Sequence, residues 1–158
     1  ARGRKPGVIG AASGAVAGLV AITPACANVS PIWGLLLGLI AGAASAIAID
    51  WKYRLGFDDS LDVVGLHLVA GVIGTIYLGF FAIDTGLFTG GDGGQLLVQT
   101  ISVLAVALYS FVVSLLIAFG VKLATGLRVP VEVEEGGIDS IHGEEAYALD
   151  ETEVAIAK

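Results

Sequence analysis

Four apolar stretches, residues 7–23, 31–49, 61–83 and 95–125, are separated by short polar segments and leave this chain few ways to fold. At 1.5 Å of rise per residue the shortest reaches about 26 Å and the longest about 46 Å, against a hydrocarbon core of roughly 30 Å. Hydrophobic residues make up 56% of the chain and charged ones 15%, with a mean hydropathy of +0.88. A soluble domain of 158 residues needs more charge than that to cover its surface. The expected fold is an all-α membrane protein with about four transmembrane helices over residues 1–128. An acidic tail follows over residues 129–158.

Positive charge occupies alternate sides of the four spans. Arg2, Arg4 and Lys5 precede the first, Lys52 and Arg54 lie between the second and third, and Lys122, Arg128 and Lys158 follow. The loops over residues 24–30 and 84–94 hold no Lys or Arg, so both ends of the chain are expected on the cytoplasmic side. The look of the tail and loops, bacterial or archaeal, suggests an inner cell membrane. Trp33 near one face and Trp51 and Tyr53 near the other suit interfacial aromatic belts. The net charge of −7 divides unevenly. Residues 1–128 hold seven Lys or Arg against six Asp or Glu, and residues 129–158 hold one against nine. A tail of that charge is not expected to bind nucleic acid or an anionic lipid surface.

Neither a conventional start nor a disulfide pair is present: the chain has no Met and a single cysteine, Cys26. The opening Ala1-Arg2-Gly3-Arg4-Lys5 reads as a loop rather than a signal peptide, and the chain is expected to be a C-terminal fragment. Gly10, Gly14 and Gly18 recur every four residues in the first span, and Gly34, Gly38 and Gly42 do so in the second. Small residues at that spacing make flat stripes that let helix backbones approach closely, so they read as packing surfaces.

His67 is an ionisable residue set well inside the third apolar stretch, whereas Asp62 lies at its edge. Groups of that kind within a membrane span are costly and therefore candidates for function. On a regular helix Ser60, His67, Gly71, Gly74 and Leu78 share one face, and the two glycines leave open space beside the ring. Asp62 lies about 140° round the helix and is not expected to pair with His67. Asp58 and Asp59 suit capping of the helix N-terminus. A neutral imidazole offers one donor and one acceptor, which can orient a small polar molecule or relay a proton without holding charge in hydrocarbon. Ammonia, water or a proton fits such a path. No nucleophile, acid pair or metal-ligand set lies near His67 in the sequence, so an enzyme, a metal site and a cofactor are not expected.

Three segments carry a specific resemblance: RKPGVIGAASGAVAGLVAITPA at 4–25, RLGFDDSLDVVGLH at 54–67, and GLRV at 126–129 followed by GIDSIHGEEAY at 137–147. Through them the chain resembles the C-terminal portion of an ammonium transporter of the Amt/Rh superfamily. The resemblance implies the last four helices of an eleven-helix bundle, a homotrimer and a cytoplasmic tail. It implies that His67 is the second of two pore histidines, that Val16 and Val63 line the pore, and that Asp59, Asp62, Gly71 and Gly74 support it. It implies a regulatory tail at Gly137, Asp139, His142, Gly143, Glu144 and Tyr147, with a PII signalling protein as a partner. The implied substrates are ammonium and methylammonium, the latter as an analogue. Leu68 departs from the glycine that many relatives carry after the histidine.

The reading from another class is a membrane scaffold or regulatory subunit, in which the spans only pack and the acidic tail recruits a partner. Replacement of His67 separates the two.

Overall fold

A computed structural model of the protein describes residues 7–56 and 58–137. The order is α1 (Val8–Ile22), α2 (Pro31–Leu55), a π-helical segment (Val64–Val69) continuing into α3 (Ala70–Phe81), α4 (Gly94–Ala124) and a short α5 (Val131–Gly136). Among the described residues there is no strand. Helices are what the composition demands, because each backbone N–H and C=O in a lipid core has to be satisfied within its own segment.

Three of these stretches are long and apolar enough to cross a membrane: Pro31–Leu55, Val64–Phe81 and Gly94–Ala124. The described part of the first, α1, has 15 residues, about 22 Å of helix. The second runs further than its hydropathy suggests, six residues past Ile49. Charge at a membrane interface does not end a helix, but glycine does. Gly56 adopts φ +71° and donates its N–H to the Lys52 carbonyl at 2.8 Å. Lys52 and Arg54 in that last turn also complement the negative end of the helix dipole.

The chain divides into two compact units, residues 1–109 and 110–158, with the boundary inside α4. In the first unit the glycine stripes meet each other. A side chain at Gly18 would lie 3.7 Å from the Gly38 Cα, and one at Gly42 would lie 3.8 Å from the Gly14 carbonyl. The pairs 18/38 and 14/42 define an antiparallel α1–α2 crossing, and Gly34 continues it against Ile22. The core is correspondingly built of small residues, with Ala17, Ala21, Ala25, Ala41, Ala70 and Ala82 buried alongside Leu37, Leu66, Tyr77 and Leu78. Backbone proximity supplies the van der Waals contact that bulky side chains give elsewhere.

One end of this unit is closed by aromatic rings. Trp33 and Tyr77 each pack on Phe81 with ring centroids 4.4 Å apart, and Phe80 stacks on Phe88 at 5.6 Å. The Tyr77 hydroxyl donates to the Trp33 carbonyl at 2.9 Å. Trp33, expected in an interfacial belt, is thus half-buried against α3, whereas Trp51 and Tyr53 at the other end of α2 are exposed. The loop after α3 folds back on it through Leu87 N–H to Gly79 carbonyl and Phe88 N–H to Phe80 carbonyl. Residues 110–137 of the second unit are almost wholly exposed apolar helix followed by α5.

Candidate functional site

The site begins where α2 ends. Beyond Gly56 the chain turns and re-enters a helix, and the first N–H groups of that helix need acceptors. Asp59 supplies them: its Oδ1 accepts from Val63 N–H at 2.8 Å and its Oδ2 from Val64 N–H at 2.9 Å. The next acid plays a different part. Asp62 takes the left-handed conformation, φ +57°, and its carbonyl accepts the Leu66 N–H at 2.8 Å. Its carboxylate pairs with Lys52 from the last turn of α2. Lys52 Nζ also donates to the Asp59 carbonyl at 2.6 Å. Three residues therefore tie the end of one span to the start of the next.

From this anchor the chain runs through a π-helical segment, Val64–Val69, with His67 inside it. Two close backbone contacts bracket His67. A side chain at Gly65 would come within 2.7 Å of Ile49 Cγ1 and 3.2 Å of its backbone nitrogen, so Gly65 lies flush against α2. A side chain at Gly74 would collide with the Ala21 carbonyl, so Gly74 lies flush against α1. Nine residues are about two and a half α-helical turns, which would put the two glycines on opposite sides of a regular helix. The wider π turn absorbs part of that mismatch, and both contacts are made at once.

This alters the face expected for His67. A regular helix groups it with Gly74 and Leu78, yet both of those are buried while His67 is exposed. Of the two glycines expected to border open space, Gly71 does, since a Cβ there would meet nothing within 4 Å, and Gly74 is filled by α1. The extra residue in the π turn rotates the segment before Ala70 relative to α3. Val63 is 49% exposed and Val16 38%, so they, His67 and Gly71 all lie on surfaces that this chain leaves open. Leu68 is exposed as well.

Of the tail residues, Gly137 is described, with φ +95°, while Asp139, His142, Gly143, Glu144 and Tyr147 lie outside the described residues. Among the described residues no group of three His, Cys, Asp or Glu side chains could hold a metal ion. Sequence reasoning used Lys52 only for orientation and missed its part in the site. The signal was there in a lysine one turn from a helix C-terminus, followed by acids seven and ten residues on.

Apolar helices of spanning length, packed on small residues and carrying an imidazole within a span, define a polytopic α-helical membrane protein. The model of the Ammonium Transporter Family matches residues 1–147, and the chain belongs to that family. It is 43% identical to an ammonium transporter of Mycobacterium tuberculosis over 159 aligned residues, covering 92% of this chain and 33% of that relative. An ammonium transporter of Bacillus subtilis is 39% identical, with 91% and 38% covered. Among solved structures, Candida albicans Mep2 matches with a TM-score of 0.70 at 34% identity, over 76% of this chain and 29% of that one. Saccharomyces cerevisiae Mep2 gives 0.69 at 30% identity, over 82% and 32%. The chain spans about a third of the length of the relatives it matches.

Proposed function

We propose that this chain forms the His67-bearing side of an ammonium-conducting path. The observation that carries the proposal is His67 itself, an imidazole within a spanning segment and exposed on a face the chain leaves open. Ammonium gives its proton to water at the mouth and crosses as ammonia, and the His67 imidazole exchanges hydrogen bonds with the passing molecule. Val16 and Val63 give the path an apolar wall. Hydrated sodium and potassium cannot discard a proton to become neutral, so the cost of stripping their water excludes them. Asp59 and Asp62 support the path by holding the start of the helix that carries His67.

The surrounding assignments belong to the same proposal. They are a homotrimer in a cell membrane, a cytoplasmic C-terminus, methylammonium as an alternative substrate, and a regulatory tail that meets a PII signalling protein. The positive charges on alternate sides of the spans support the orientation.

The test is His67→Gln in the native polypeptide, with methylammonium uptake and potassium permeation measured at matched membrane abundance. A changed rate or selectivity is expected. A scaffold role predicts that both stay as they were, and that result would sink the transport reading for this residue.

A further inference from the structure

The network at the end of α2 does more than cap a helix. Asp59 alone satisfies the two leading N–H groups, yet Lys52 reaches across from the preceding span to the Asp59 carbonyl and the Asp62 carboxylate. Its side chain is 11% exposed and that of Asp62 26%, so the pair is partly shielded from water. Asp62 takes a left-handed conformation, uncommon outside glycine, asparagine and aspartate, and its carboxylate is tied to Lys52 while it does so. Its carbonyl accepts the N–H of Leu66, which immediately precedes His67. A π turn is in turn a marginal structure, one residue away from an ordinary α-helix.

We propose that Lys52 is a positioning residue for His67: by fixing Asp59 and Asp62 it holds the π turn in register, and the π turn sets the direction in which the imidazole faces. Without the lysine, the Asp62 carboxylate loses its counter-ion in a half-dry site and the left-handed turn loses its support. The segment then relaxes toward α-helical spacing, which swings residue 67 round the helix axis. Regular spacing works against holding Gly65 on α2 and Gly74 on α1 at once, so the Gly65 contact, inside the released turn, loosens while Gly74 stays seated on Ala21. This inference rests on the conduction reading only for its effect on transport.

The experiment places a thiol at the position in question, His67→Cys in a Cys26→Ser background, and measures its labelling rate by the small neutral reagent methyl methanethiosulfonate in membranes. Lys52→Met is expected to change that rate about tenfold, and Lys52→Arg, which keeps the charge and the donors, to leave it within about twofold. In parallel, with His67 present, Lys52→Met is expected to change methylammonium uptake and its selectivity over potassium, with Lys52→Arg close to the parent. An unchanged labelling rate in Lys52→Met overturns the proposal. Altered labelling with uptake and selectivity untouched supports the clamp and overturns the conduction reading instead. If Lys52→Met does not reach the membrane, Asp62→Asn, which keeps the side-chain size, carries the same comparison.

Discussion

Gly18 and Gly38 lie so close at the crossing of α1 and α2 that a side chain on the first would rest 3.7 Å from the Cα of the second. That approach sets the position of α1, and through Ala21 it sets the face against which Gly74 of α3 docks. Each contact in the series involves backbone, which does not yield as a flexible side chain does.

Gly74→Ala should therefore weaken the packing of α3 on α1 by about 1–3 kcal/mol, the cost of overfilling a well-packed interface. Gly71→Ala, three residues away in open space, should stay within about 0.5 kcal/mol of the parent. Thermal denaturation of the purified protein in detergent reads both. Equal effects would mean that the two glycines are not distinguished by packing.

Asp59→Ala removes both acceptors from the Val63 and Val64 N–H groups. A loss of about 1–2 kcal/mol is expected, with Asp59→Asn retaining part of it through its single carbonyl. Hydrogen exchange at the amides of residues 63 and 64 provides the local check. Unchanged protection in Asp59→Ala would show that other groups cap this turn.

Ser45 of α2 is buried where α2 meets Gly65 at the start of the third span, and its hydroxyl has no hydrogen-bond partner among the described residues. Ser45→Ala should accordingly be neutral or stabilising by up to about 1 kcal/mol, since it removes a polar group that burial leaves unsatisfied. A clear drop in the melting midpoint would point to a partner for the hydroxyl.

Deletion of residues 137–147 should lower methylammonium uptake while membrane abundance stays at the parental level, if the tail regulates transport as proposed. Uptake indistinguishable from the parent would remove the regulatory assignment of Gly137, Asp139, His142, Gly143, Glu144 and Tyr147.

Hydropathy alone outlines the helices because a span is defined by some eighteen residues of averaged character, and single side chains hardly move it. The glycine stripes are legible for a similar reason: a four-residue repeat of small side chains has few uses besides close helix contact. Finer features depend on register, which averaging erases. A uniform 3.6-residue period hides the π turn, and with it the difference between Gly71 and Gly74. Asp59 is readable as a cap from its place before an apolar run. The Asp62 partner is not, because Lys52 is ten residues back, on the far side of a chain reversal.

The π turn has a further consequence for how this protein tolerates insertions and deletions. Where a side chain faces along a regular helix is decided by counting residues, at about 100° each. Removing Leu68 restores regular spacing with His67 and its anchoring residues retained, and the imidazole then points elsewhere. The direction of His67 is therefore encoded in chain length as much as in residue identity, and a one-residue deletion here is a more drastic change than many substitutions.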